Sequence, residues 1–287
     1  MKKGGKMKHL TILCAVTFLL TACTTTHPKQ EVKMKVSNKE KTVALLRSIE
    51  TGDPTPVSII NPDKYIQHNL MVGDGLKGFG EVMKQLPAGS AKANVVRAFQ
   101  DGDYVFTHTE YNFFGPKIGF DIFRFENGKI VEHWDNLQVI VIDTASGRSQ
   151  IDGPTEAADL DKTDLSKSLV EGFVKDILKG GNPAKITDYI SPGKYYQHNP
   201  SVADGLDALG KALQEMTKAG MPMTYTKNHM ILGEGNFVLA VSEGQFLGKH
   251  VAFYDLFQIE NGKIAEHWDT IEEIPPKENW KNNNGKF

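Results

Sequence analysis

Cysteine is almost missing from this chain: its 287 residues hold two, Cys14 and Cys23. A disulfide scaffold is thereby excluded, because at least two thiols in the folded part would be needed. No apolar run reaches the roughly 20 residues that a transmembrane helix requires. Neither sign of charge dominates. Lys and Arg number 33 against 35 Asp and Glu, a formal net charge of −2 with no basic stripe, which argues against a nucleic-acid partner. Low-complexity tracts and a glycine-rich loop that could cradle phosphate are also lacking, so no organic cofactor is implied. What remains is an ordinary globular composition, 40% hydrophobic and 24% charged.

The first residues have a distinct pattern. Basic Met1–Lys8 precedes apolar Leu10–Leu20, and then comes Leu20-Thr21-Ala22-Cys23. This predicts a signal peptide over 1–22, with small residues before the cut. The tetrad resembles a bacterial lipobox, which implies acylation of Cys23 as the mature N-terminus and makes a lipid bilayer a partner through that residue. Thr24 follows, with no Asp to mark inner-membrane retention. The expected place is therefore the outer membrane, facing the periplasm, with residues 23–37 as a tether.

The rest of the chain is organised around one stretch that occurs twice. Glu126-Asn127-Gly128-Lys129-Ile130-Val131-Glu132-His133-Trp134-Asp135 returns as Glu260-Asn261-Gly262-Lys263-Ile264-Ala265-Glu266-His267-Trp268-Asp269. Asn-Gly between β-branched and aromatic residues predicts a tight hairpin. The apolar run before each copy carries a single acid, Asp121 or Asp255, and a lone Asp is rare in a buried strand unless it has a partner or a task.

The similarity extends upstream. Tyr65-Ile66-Gln67-His68-Asn69 aligns with Tyr195-Tyr196-Gln197-His198-Asn199, and Asp74-Gly75-Leu76 with Asp204-Gly205-Leu206. Each copy reads as an opening helix, a second amphipathic helix, and then a run of antiparallel strands. That is an α+β fold, built here as two tandem cone-shaped domains with a curved sheet wrapped over helices. The expected limits are 38–145 and 163–276, with a polar linker over 146–162 and a frayed tail over 277–287.

The Gln-His-Asn run, Asp-Gly, Asp-Ile-Phe-Arg and the Glu-His-Trp-Asp hairpin together resemble the SnoaL-like branch of the nuclear transport factor 2-like superfamily, twice over. The resemblance implies a pocket inside each cone. It also implies an activity of the polyketide-cyclase, isomerase or epoxide-hydrolase kind, although many members do no chemistry. By resemblance to ketosteroid isomerase, His68 and His198 fall at the general-base position, and Asp121 and Asp255 at that of a protonated acid donating to an oxyanion. The base position holds imidazole instead of carboxylate, and no tyrosine matches the family's oxyanion donor.

From the residues themselves, His68 and His198 are candidates for proton abstraction near neutral pH, or structural imidazoles bonded to loop backbone. Asp121 alternates with Phe123 and Phe125. It is either an acid kept protonated by desolvation or one ion-paired to Arg97 or Arg124. Period two puts His133 and Asp135 on one strand face, taken as the inner one, with Asp135 orienting the imidazole; His267 and Asp269 repeat this. His108 occurs only in the first copy, and with His68, His133 and Asp135 it would also suit a metal, although none is expected. His229 and His250 are present in the second copy instead.

The functional expectation is a lyase or isomerase that acts by His and Asp acid–base chemistry on a small apolar carbonyl compound. The alternative is a periplasmic lipoprotein that only binds a small apolar ligand. The two copies are expected to pair within one chain as a pseudo-dimer, with Trp134 and Trp268 at the contact.

Overall fold

The computed structural model describes Met1, Gly4 and residues 36–86 and 89–287. Cys23, the signal peptide apart from Met1 and Gly4, and most of the tether lie outside the described residues. Val36–Phe287 is one compact unit.

The first half opens with helix α1 (Asn38–Thr51). Ser37 caps it reciprocally: the Glu40 amide donates to Ser37 Oγ at 3.1 Å, and Glu40 Oε2 accepts from the Ser37 amide at 2.7 Å. Gly52, in the left-handed region at φ 71, ends it. Then follow β1 (Ile66–Gln67), α2 (Gly75–Gln85), β2 (Lys92–Asp101), β3 (Tyr104–Asn112), β4 (Pro116–Glu126) and β5 (Lys129–Val139). The second half repeats the order: α3 (Thr163–Phe173, continued by a π turn), α4 (Ile186–Tyr189), β6 (Tyr196–Gln197), α5 (Leu206–Lys218), β7 (Thr224–Glu234), β8 (Phe237–Phe246), β9 (Lys249–Glu260) and β10 (Lys263–Glu273). The fold is α+β, two five-stranded sheets in tandem with strand orders β1-β5-β4-β3-β2 and β6-β10-β9-β8-β7. Each sheet is mixed, because the two-residue strand from Gln-His-Asn runs parallel to the last strand.

The hairpins β4–β5 and β9–β10 turn at Asn127-Gly128 and Asn261-Gly262, all four residues at positive φ. They set Asp121 opposite Asp135 and Asp255 opposite Asp269. Two carboxylates directly across a ladder repel unless protons or partners separate them. A bulge in each hairpin lies between the turn and this pair.

One face of each sheet curves over its own helices; Leu45, Leu46, Phe123 and Phe125 form part of that core in the first half, and Val170, Phe173 and Phe257 in the second. The opposite faces pack on each other. Phe99, Phe106, Phe120, Ile122 and Trp134 share one buried cluster with Phe237, Leu239, Tyr254, Leu256 and Trp268. Phe99 stacks on Phe237 with ring centroids 4.6 Å apart, and Asn136 Nδ2 donates to the Thr270 carbonyl at 2.9 Å. Both sheets thereby lose their water-facing side, which explains why their strands read as nearly continuous apolar runs.

The two connecting segments are packed, and the expectation of a frayed tail is corrected. Asn282 Nδ2 donates to the carbonyls of Asn69 and Val72, and Asn284 Nδ2 to Gln67 O and Asp74 Oδ1. Lys286, 6% exposed, reaches the Asp135 carbonyl and the Glu272 carboxylate. The tail of the second half therefore straps the first. Reciprocally, the segment after β5 straps the second half: Ala145 N donates to Pro200 O, Arg148 pairs with Asp204 at 3.0 Å, and Trp268 Nε1 donates to Asp152 O.

Candidate active site

Each half encloses a cavity between its sheet and its helices, about 310 Å3 in the first and 370 Å3 in the second. The walls are apolar, with Phe79, Val82 and Met83 of α2 on one side of the first cavity and Leu209, Leu213 and Met216 of α5 in the second. The polar groups gather on the strand floor.

In the first cavity, His133 Nε2 lies 3.1 Å from Asp121 Oδ1, and its Nδ1 lies 3.1 Å from Gln67 Oε1. Gln67 Oε1 is identified as oxygen because it also accepts the Asn69 amide at 2.8 Å. His133 Nδ1 must therefore carry a proton, and Nε2 is the nitrogen turned to Asp121. Tyr111 donates its hydroxyl to Asp121 Oδ2 at 2.5 Å. Asp135 stands across the ladder: its Oδ2 accepts from Asn69 Nδ2 at 2.7 Å, while its buried Oδ1 has no hydrogen-bond partner. The expected Asp135–His133 bond is thus corrected. Asp121 holds the imidazole, because the antiparallel register brings Asp121 beside it.

The second cavity repeats this. His267 Nε2 is 3.0 Å from Asp255 and its Nδ1 is 2.9 Å from Gln197 Oε1. Asn199 Nδ2 donates to Asp269 Oδ2 at 2.7 Å, and Asp269 Oδ1 is buried without a partner. Tyr225 donates to Asp255 at 3.2 Å. Burial pushes the Asp269 carboxyl up to about 6, with the Asp255 charge adding to it. Burial works against charge on His267, but the Asp255 hydrogen bond and the neighbouring carboxylates outweigh it and raise the imidazole above its usual value. The hydroxyls of Tyr111 and Tyr225 are driven well up by burial first and by the nearby acid second, so both stay donors.

His68 and His198 are absent from the cavities. Gln67 pairs with His133 on the parallel ladder and points inward with Asn69; period two turns the residue between them to the other face. There His68 stacks on Trp134 at 4.6 Å and bonds Gly285 O and Glu132 Oε1, each at 2.9 Å. His198 stacks on Trp268 at 4.6 Å and meets Ser149 O, Asp152 and Glu266. The placement of these two imidazoles at a pocket mouth is corrected: they bind the straps.

His108 also faces away from the cavity. It stacks on Phe120 at 4.3 Å and accepts from Arg97 Nη1 at 2.6 Å, and burial drives it far below its usual value, so it is neutral. Neither arginine pairs with Asp121: Arg97 turns to the strap carbonyls of Ile151, Asp152 and Pro154, and Arg124 to Glu126 and Glu132. His229 and His250 share Glu243 outside the cavity.

Sequence reasoning overlooked Gln67, Asn69, Tyr111 and their counterparts Gln197, Asn199 and Tyr225. The signal for the amides was available, since Gln-x-Asn on a two-residue strand faces one way. Among the described residues, the two clusters that could hold a metal ion are Asp121, His133 and Asp135, and Asp255, His267 and Asp269, each offering ligand atoms within 4.8 Å of one another. Both imidazole nitrogens are already bonded in each, so a cation would have to break the His–Asp contact.

No family model matches the chain, and no curated protein matches it. Solved structures do. TsrD from Streptomyces laurentii is 23% identical and aligns over 38% of this chain and 89% of its own, with a TM-score of 0.31. An NTF2-like protein from Cytophaga hutchinsonii is 14% identical over 37% and 94%, at 0.33. An LEH-like epoxide hydrolase of M. tuberculosis is 20% identical over 39% and 85%, at 0.31. Each aligns over a little under two fifths of this chain.

Proposed function

We propose that each half carries an acid–base site for enolisation or aldol-type chemistry on a small apolar carbonyl compound, a lyase or isomerase activity. The observation that supports it is the buried Oδ1 of Asp135 and of Asp269, which accepts no hydrogen bond in an apolar cavity beside a Tyr–Asp–His group; Lys286 Nζ stands 3.9 Å from that of Asp135. Two carboxylates in different surroundings divide the roles. Asp135 and Asp269, not the histidines first expected, take the proton from the carbon beside the carbonyl. The oxygen that becomes negative is met by the hydroxyl of Tyr111 or Tyr225, turning to it from the carboxyl of Asp121 or Asp255, which His133 or His267 continues to hold. A positioned base contributes about 10² to 10⁴-fold, and an oxyanion donor about 10² to 10³-fold. The apolar walls exclude water from the developing charge. The reading needs no organic cofactor.

The test is hydrogen–deuterium exchange at the α-carbon of small ketones and aldehydes in D2O, followed by NMR. Asp135→Asn with Asp269→Asn is expected to abolish exchange while the fold is kept. The apolar walls also favour a second reading, a non-catalytic carrier of a small apolar ligand. Tight ligand binding with no exchange on any compound would select it. We also propose that Cys23 is acylated and anchors the chain at a membrane; the mass of the mature N-terminal peptide tests this.

A further inference from the structure

Four consecutive β-branched residues, Val139-Ile140-Val141-Ile142, leave the end of β5 and stay at the surface, with Val139 63% and Ile142 86% exposed. A run of that kind on a soluble surface invites association unless it has a use. It does not line the cavity. The ladder ties it to the β3–β4 hairpin, because Val139 pairs with Lys117 and the Ile140 amide donates to the Pro116 carbonyl at 3.3 Å.

The tip of that hairpin is Phe114-Gly115, at the mouth of the first cavity. Phe114 is 64% exposed and sits at φ 54, where a bulky side chain is strained. The same chain places Asn at φ 49 and φ 50 in two further tight turns, Asn127 and Asn261, where the conformation is tolerated. A phenyl ring kept in a strained, exposed place points to a contact made by the ring. Met71, 52% exposed, also borders the mouth. The second half keeps a strained tip at Leu247, but its counterpart of the run is Glu273-Ile274-Pro275-Pro276, in which Ile274 is buried.

We infer that the Phe114 hairpin and the Val139–Ile142 run dip into the apolar layer of a lipid bilayer, setting the mouth of the first cavity against the membrane. A second copy of the chain fits this face less well, since a stable interface takes about 20–30 residues a side and the patch offers a handful. Chain length favours the bilayer. Cys23 lies 13 residues before Val36, and a chain of that length spans at most about 45 Å. An acyl group there holds the folded body within that reach. Without the four lysines that precede Cys23 the net charge is −2 − 4 = −6, so the attraction is apolar, shallow and in need of the tether. The ligand class follows from the proposed function, on which this one step rests: a small carbonyl compound dissolved in the bilayer.

Insertion is read without any substrate, so it stands or falls apart from the chemistry. The full chain carrying Phe114→Trp is mixed with phosphatidylcholine vesicles whose acyl chains are brominated near the headgroup. The added tryptophan should be quenched at least about twofold, and one introduced by Lys211→Trp on exposed α5 should not be. Equal quenching at both positions, or none at 114, overturns the proposal. Phe114→Asn with Ile142→Ser should lower vesicle binding several-fold at a melting temperature no lower than the parent's. If the same pair instead dissociates a dimer in sedimentation, the face is a self-contact and the proposal fails.

Discussion

Tyr111 and Tyr225 deliver a hydroxyl to equivalent carboxylates from strands that are not equivalent. Tyr111 stands on β3, paired with Ala93 of β2; Tyr225 stands on β7, the counterpart of β2, paired with Gly244 of β8. The large and small residues have exchanged places across one rung. A Cβ on Gly244 would lie 1.9 Å from the Thr224 carbonyl oxygen and 3.0 Å from Phe253. The second half thus reaches the same phenol–carboxyl bond by a different route.

Tyr111→Phe or Tyr225→Phe removes a donor from a buried carboxyl, at a cost of about 1–3 kcal/mol in urea unfolding. Under the proposed chemistry, α-carbon exchange in that half should fall about 10²-fold. Lost stability with unchanged exchange would make the phenol a structural group only.

Asp269 gives the second half a pH signature. Its carboxyl rises from 3.8 to about 6 on folding, so between those values the folded state holds a proton that the unfolded chain releases. Stability should therefore fall as pH climbs through that window, by about 3 kcal/mol for a shift of this size. His267, also raised, acts in the same direction: its contribution is present at low pH and lost as pH passes its folded value. Unfolding curves from pH 4 to 7 should flatten in Asp269→Asn. Exchange catalysed by the second half should rise as Asp269 ionises near pH 6.

His68→Ala and His198→Ala should lower stability by about 1–3 kcal/mol each, since each strips a ring from a tryptophan and removes a hydrogen bond from a glutamate, Glu132, which keeps Arg124, or the buried Glu266. Turnover should remain within about twofold of the parent, because neither ring meets the cavity. A collapse of activity at full stability would return these histidines to the mechanism.

Removing residues 281–287 deletes the strap of the first half alone. Amide exchange should then rise across 67–74, whose carbonyls Asn282 and Asn284 hold, while 197–204 keeps its protection under the other strap. Mass spectrometry of the exchanged peptides reads both at once.

The hairpins were legible because Asn-Gly imposes its own turn, and the faces of His133 and Asp135 because strand period is a local property. The bonding partner of His133 was not, since the register sets Phe123 across from it and Asp121 on the diagonal, and sequence periodicity gives faces, not neighbours. His68 was misplaced when the period applied to β5 was not applied to the two-residue strand beside it. Tyr111 and Tyr225 escaped because no alignment of the halves matches them. The tail misled through composition: its asparagines look solvated, yet two of them spend their amides on backbone carbonyls of the loop they cover.

The exchanged straps have a consequence for inheritance. A piece cut at the middle of the chain would leave each lobe without the cover that the other supplies, so neither can be passed on, trimmed or shuffled alone. The end of each half is the other's missing part. The two halves together are the smallest piece in which both lobes keep their cover.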